Sequence, residues 1–444
     1  FMIDASKGFM KDGNKNRLRP RDTHQIINTF VNLKEIDRYS RMVPVSEIAD
    51  PKNDYNLNIP RYIDSSEPED IQDLHAHLKG GIPNRDLDAL RPYWDAFPSL
   101  RAQLFRPLRD GYSELAIDKT EILPTITGSP EYKAFASSTT GTVKHWWNTH
   151  INALTGINSS TRPSELIAEL GDTLLGAFRP KPLIDEYGVY EQLLSYWNEL
   201  MHADVALIMG EGWDGAAEPR AARILEYDKN KKPKYEPAHI TFGAGVKAQR
   251  WVMDLMPPEL IVARYFAKEL AELDALDAAV EAAGQAIEAY VEEHAVEEGL
   301  LFDATDDDGK VTNKTATDRL KTARAEGADS DEIKALVHAV GLFKAETAAK
   351  KAAKDARLKL DQLTLKQYTQ LRTPDIQSLV IDDKWGGRVV AGVEAERAAL
   401  IQRLVQRLDV LGSRYEQTVG DLEAETESLS ARMAAHLAAM GVRG

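Results

Sequence analysis

The 444-residue chain contains no cysteine. Disulfides, thiolate nucleophiles and cysteine-ligated zinc are therefore excluded, a usage that fits the cytoplasm. No run approaches the roughly eighteen apolar residues of a membrane-crossing helix, so no span is expected. Positive charge is also short, with 55 Lys and Arg against 70 Asp and Glu and a net of −15. Nucleic-acid binding by the whole surface needs the opposite balance. The deficit is uneven, because residues 1–64 hold 11 Lys/Arg and 9 Asp/Glu. Any nucleic-acid contact is accordingly expected near the amino end. The opening Phe1-Met2-Ile3-Asp4 has neither the basic region nor the cleavage site of a signal peptide. It reads as a strand entered midway, as expected for a fragment or a processed product.

Several chemical signatures are missing or incomplete. No Gly-x-Ser-x-Gly elbow and no phosphate-binding P-loop occurs. Phe242-Gly243-Ala244-Gly245 lacks the third glycine of a dinucleotide loop, since position 248 is alanine. Asp306-Asp307-Asp308-Gly309 resembles a calcium loop, but its first and twelfth positions are Ala304 and Thr315, neither a carboxylate. His75 and His77 are two apart and on a helix would not share a face, so no metal site is expected. Met256-Pro257-Pro258-Glu259 has the paired prolines of an adenine-methyltransferase tetrapeptide. It lacks the leading hydrogen-bonding residue and the closing aromatic that stacks a flipped base, and reads as a helix start.

What is present is mostly helical patterning, in three regions. Residues 1–64 read as the tail of an α/β domain: a strand at 1–3, polar unpatterned chain over 7–19, and a helix after Pro20 with Ile26, Ile27, Phe30 and Val31 at helical spacing. In Asn53–Asp64, Asn53, Asn56 and Asn58 alternate with Tyr55, Leu57 and Ile59, which predicts an edge strand ending at Pro60. An acidic linker follows over 65–70. Residues 65–258 predict a helical domain with a few short strands. Its apolar clusters are Ile71 with Leu74 and Leu78, the aromatic run 93–105, Tyr132 to Trp147, Leu166 to Leu175, and Tyr190 to Met201. Val205–Met209 suits a short strand, Trp213-Asp214-Gly215 a turn, and Lys229 to Pro237 a solvated, lysine-rich hairpin loop, the alternative being that Lys229, Lys231, Lys232 and Lys234 touch phosphate.

Residues 259–444 predict long coiled-coil-like helices. Residues 259–298 carry Phe266, Leu270 and Leu273 in a four-three repeat, with eleven acidic and two basic residues. Asp329 and Glu332 form a capping-box start to a basic helix running to about 371. A last helix over 392–440 places Leu404, Leu408, Leu411, Tyr415 and Leu422 in heptads, with Thr418 filling one slot. Its arginines, Arg397, Arg403, Arg407 and Arg414, predict pairing with the acidic 259–298 helix. The alternative is a seam left open for another subunit. Phe266, Leu270, Leu273, Leu404, Leu408, Leu411, Tyr415 and Leu422 are thus the candidate interface residues. The fold class expected is mainly α with a short α/β piece at the amino end.

A family resemblance adds what spacing does not. Phe1–Ser6, Asn16-Arg17-Leu18-Arg19-Pro20, Tyr39-Ser40-Arg41 and Asp54–Tyr62 resemble, in order and spacing, the modification (methyltransferase) subunit of type I restriction-modification systems. Val189–Trp197, Glu259–Phe266 and Val380–Trp385 are similar to the long carboxyl-terminal region of one large class of these subunits. The resemblance implies N6-adenine methylation of double-stranded DNA with S-adenosylmethionine. It also implies a complex with a specificity subunit, a second modification subunit and a restriction subunit. The family's glycine motif and Asn-Pro-Pro-Phe motif lie upstream of its Ile-Asp-Ala-Ser strand, and neither occurs here. No catalytic, cofactor-binding or metal-ligating residue is therefore assigned, and the chain alone is expected to be inactive. The competing reading is a non-enzymatic helical adaptor working through its coiled coil.

Overall fold

The computed structural model describes residues 1–65, 72–306 and 308–440. It is mainly α, with small antiparallel sheets near the amino end and in the middle, and long helices toward the carboxyl end. The linker expected over 66–70, Ile71 of the first predicted helix, and Asp307 of the calcium-like loop lie outside the described residues. The chain divides into two compact units, Phe1–Ala206 with Trp385–Gly444, and Leu207–Lys384.

In the first unit, Met2–Ile3 pairs antiparallel with Ser40–Arg41, and the Pro20–Val31 helix lies between them in sequence. The polar stretch 7–19 is not unpatterned chain. Met10–Asp12 and Lys15–Arg17 form a hairpin closed by Gly13 at φ +59° and Asn14. Gly13-Asn14 is a two-residue hairpin turn signal, because glycine at its first position takes positive φ without steric cost. The helical part is built on the aromatic and leucine clusters. Trp94, Phe97, Leu100, Leu104, Ile122 and Ile126 make one core with Ile401, Leu404, Leu408, Leu411 and Tyr415. A three-stranded sheet, Ile82–Pro83, Tyr112–Leu115 and Phe105–Arg109, borders that core.

The Gly387–Arg414 helix therefore belongs to the first unit, packed on Ile122–Gly128, Pro130–Thr155 and Glu186–Tyr196. Arg397 donates to the Ala136 carbonyl and to the Thr139 and Thr140 hydroxyls at 3.1–3.2 Å. This corrects the pairing expected from charge. The acidic helix, Ala267–His294, instead lies antiparallel along Ser330–Tyr368 within the second unit. The Tyr290 hydroxyl meets the Ala335 carbonyl near one end, and Arg357 meets Asp277 at 2.6 Å near the other. The basic residues that complement the acidic helix come from the next long helix in sequence, in keeping with the rule that consecutive elements pack together.

Three further expectations differ. The predicted last helix is two, Gly387–Arg414 and Val419–Ala439, because Thr418 and Asp421 form a capping box that starts a new helix. Val205–Met209 lies in the His202–Ala217 helix, where Val205 and Ile208, three apart, are both fully buried. A short apolar run does not distinguish a strand from a buried helix. The turn expected at 213–215 falls in the same helix, whose break is at Gly212 with φ +71°.

Asn53–Asp64 is not an edge strand. Asp54 and Tyr55 both take positive φ, and Ile59–Arg61 is a turn of 3₁₀ helix. The asparagines explain the difference, since their side chains compete for backbone partners. Asn53 Nδ2 donates to the Glu47 carbonyl at 2.8 Å, and the Asn58 N–H donates to Asn56 Oδ1 at 2.9 Å. Tyr62 and Ile63 then turn inward onto Val43, and the Tyr62 hydroxyl donates to the Asn56 carbonyl at 2.5 Å.

Candidate functional site

The amino-terminal segment is held together by buried carboxylates. Asp22 is 4% exposed and takes three hydrogen bonds from Arg19, two from the guanidinium at 2.8 and 3.0 Å and one from the backbone N–H at 2.9 Å. Burial pushes its pKa up, but the Arg19 hydrogen bonds outweigh that and the net shift is downward. Asp4 is likewise lowered, chiefly by its hydrogen bond with Ser6. Burial pushes the Tyr39 hydroxyl up to about 12.

A cleft of about 550 Å³ lies among Glu35, Asp37, Arg38, Ser40, Arg41 and Tyr62. Its polar groups have structural partners: Glu35 accepts the Met42 N–H, Ser40 donates to the Lys34 carbonyl, and Arg41 pairs with Glu47 at 2.8 Å. None of these three contacts joins a nucleophile to a base.

S-adenosylmethionine, which the resemblance implies, does not find a fitting cradle here. Every strand pair among the described residues is antiparallel. Gly243 and Gly245 connect two such strands, Ile240–Phe242 and Gln249–Val252, rather than a strand and a helix. The backbone frame that presents N–H groups to a nucleotide-like ligand is therefore lacking in these residues. Among the described residues no three His, Asp or Glu cluster as metal ligands. No described helix is long and apolar enough to cross a membrane.

What the amino-terminal segment does offer is contact surface. One face of the Pro20–Val31 helix docks on Glu186–Tyr196. The Arg21 N–H donates to Glu191 at 2.9 Å, Asn28 donates to the Tyr187 hydroxyl at 2.9 Å, and the His24 and Tyr190 rings lie 4.6 Å apart. On the same helix Ile27, Phe30 and Val31 are exposed. Sequence periodicity identifies this helix but does not say that part of its apolar face stays uncovered.

The eight candidate interface residues separate. Leu404, Leu408, Leu411 and Tyr415 are buried in the first unit's own core, so their heptads close within the chain. In the second unit Leu273 is buried, while Phe266 and Leu270 are half-buried. Leu422 is 46% exposed and begins a different surface. Every residue of the Val419–Ala439 helix is exposed, including Leu422, Leu429, Met433 and Leu437, which recur at helical spacing. The sequence signal for this separate helix is the Thr418-x-x-Asp421 box.

The protein is mainly helical, with an amino-terminal segment docked on its helices. The comparison with known families makes the assignment of that segment: residues 1–71 match the N-6 DNA Methylase family. The chain thus carries an N6-adenine DNA methyltransferase family domain segment at its amino terminus. No solved structure matches the chain.

Proposed function

We propose that this chain is the carboxyl-terminal portion of the modification subunit of a type I restriction-modification system. In this reading it serves in assembly, and the glycine and Asn-Pro-Pro-Phe motifs belong to polypeptide upstream of Phe1. Its partners are a specificity subunit, a second modification subunit, a restriction subunit and, through the complex, double-stranded DNA in the cytoplasm. The observation that carries the reading is the seating of the family-matched segment on the helical region. Arg21, His24 and Asn28 reach Glu191, Tyr190 and Tyr187, and both parts fall in one compact unit. Helices folded onto the methyltransferase-matched segment in this way support a single subunit over an appended adaptor.

The docking element of this proposal is the Val419–Ala439 helix. An isolated helix of this length is marginal in water, and a bare stripe of Leu422, Leu429, Met433 and Leu437 gives it a reason to pair. The test is co-purification with a co-expressed type I specificity subunit. Removing 419–444 is expected to abolish association; retained association counts against the helix as the contact. Absence of a glycine motif and of Asn-Pro-Pro-Phe from the coding sequence upstream of Phe1 would sink the family reading itself.

A further inference from the structure

The second unit contains a ribbon that nothing above uses. Ile224–Tyr227 and Pro233–Tyr235 pair antiparallel, with Tyr227 opposite Pro233, Glu226 opposite Lys234, and a bulge before Tyr235. The Ile224–Tyr227 strand has no covered face, whereas Pro233 and Tyr235 on its partner strand are half-buried. Ile224, Leu225 and Tyr227 are 44%, 64% and 64% exposed, and every residue of Ile224–Tyr227 is exposed. A lone two-stranded ribbon is marginal in water, so one that projects bare apolar side chains gains from a second surface to lie against.

Its tip is built so that the lysines stay outside. Asp228 Oδ1 accepts the Asn230 and Lys232 N–H groups, both at 2.8 Å, and the Lys231 N–H donates to the Asp228 carbonyl at 2.9 Å. The acidic side chain at the tip is thereby committed to the turn. Lys234 pairs with Glu226 at 2.5 Å, but Lys229, Lys231 and Lys232 are exposed and have no ion pair among the described residues. At the base, the Arg250 guanidinium lies 4.5 Å from the centre of the Tyr235 ring. Residues 220–250 carry eight Lys/Arg and three Asp/Glu in a chain whose net charge is −15. A solvated loop of a protein this acidic has no need to concentrate positive charge.

We infer that the ribbon 224–235 is a DNA-contacting arm that takes the groove of a B-form duplex. Lys229, Lys231 and Lys232 reach phosphates, and Leu225 and Tyr227 lie against the sugar and base edges. The major groove of B-form DNA admits a two-stranded ribbon, whereas that of A-form RNA is too deep and narrow. The arm would add a contact to the one expected near the amino end. The inference goes beyond assembly with a specificity subunit and does not depend on it, because the chain is tested alone.

The experiment measures binding of a fluorescent mixed-sequence DNA duplex by anisotropy, between about 50 and about 200 mM salt. The unaltered chain is compared with the triple variant Lys229→Ala, Lys231→Ala, Lys232→Ala. Three lost phosphate contacts should lower affinity about tenfold or more at the low end and reduce the log–log salt slope by about 2.7. A control triple, Lys350→Ala, Lys351→Ala, Lys354→Ala, on the exposed side of another helix, should leave both quantities unchanged. The arginine triple at 229, 231 and 232 should restore binding. No binding by the unaltered chain, equal loss from the two alanine triples, or equal affinity for duplex RNA would each overturn the arm. Neither alanine triple removes a packed side chain, and matching circular-dichroism melts verify that the variants fold. Loss of DNA binding with intact specificity-subunit association separates this inference from the assembly reading.

Discussion

At the scale of single residues, glycine marks where helices touch. A β-carbon on Gly392 would stand 2.9 Å from the Gln192 β-carbon, a stiff point on the facing helix rather than a movable side-chain end. Gly392→Ala therefore forces the Gly387–Arg414 and Glu186–Tyr196 helices apart. The expected loss is about 1–2 kcal/mol after the gain in helix propensity is counted. Gly284, inside the Ala267–His294 helix, has no atom within 4 Å of such a β-carbon. Gly284→Ala should raise stability by roughly 0.5–1 kcal/mol. Urea unfolding of the two variants should thus shift in opposite directions; a shared direction would contradict the packing described for Gly392. From the sequence both are glycines within helical patterns, and nothing local distinguishes them. Asn53, Asn56 and Asn58 present the converse case, where a local side-chain preference overrode a period-two pattern that looked like a strand.

At the scale of elements, the small sheet Ile240–Phe242, Gln249–Val252 and Arg220–Ala221 depends on one arginine. Arg220 binds both Glu236 and Asp254, and Glu236 also accepts the Arg223 N–H at 2.6 Å. The Arg220 hydrogen bond, helped by that N–H, holds the Glu236 carboxyl at about 2 against an ordinary 4.5. A depressed folded-state pKa contributes stability that is fully present above the unfolded value and is lost as pH falls through the folded one. The window is therefore from about 4.5 down to about 2. Glu236→Gln should be less stable than the parent at about pH 7, and the gap should close across that window. Denaturant midpoints measured at several pH values check this, and a gap independent of pH would refute the role of the carboxylate. The long helices teach a related point. Acidic and basic stretches were legible in the sequence, but two basic helices were available to the acidic one, and charge alone did not rank them.

At the scale of the whole molecule, the two carboxyl-terminal helices have opposite roles. Ile401, Leu404, Leu408, Leu411 and Tyr415 lie in the core of the first unit, whereas every residue of Val419–Ala439 is exposed and, among the described residues, the helix touches only the short Leu74–Lys79 helix to any extent. Truncation after Thr418 should leave the thermal midpoint within about 2 °C of the parent, since surface changes away from packed features are small. Truncation after Gly386 removes five large core side chains at about 2–5 kcal/mol each, more than the roughly 5–15 kcal/mol that holds a domain folded. That chain should fail to fold its first unit, as read by circular dichroism and hydrogen exchange. A cooperative native melt would show that the helix is not part of the core.

The sequence by itself determined the absence of thiol chemistry, the mainly helical class, most long helix positions and the amino-terminal motif order that matches the N-6 DNA Methylase family. These are properties of composition, local periodicity and residue identity along the chain. Only the tertiary structure decided that the 387–414 heptads close on residues 100–126, that the acidic helix pairs with 330–368, and that Val419–Ala439 and the lysine-tipped ribbon stand bare. An apolar stripe specifies that a face wants covering; which surface covers it depends on where the rest of the chain has already gone.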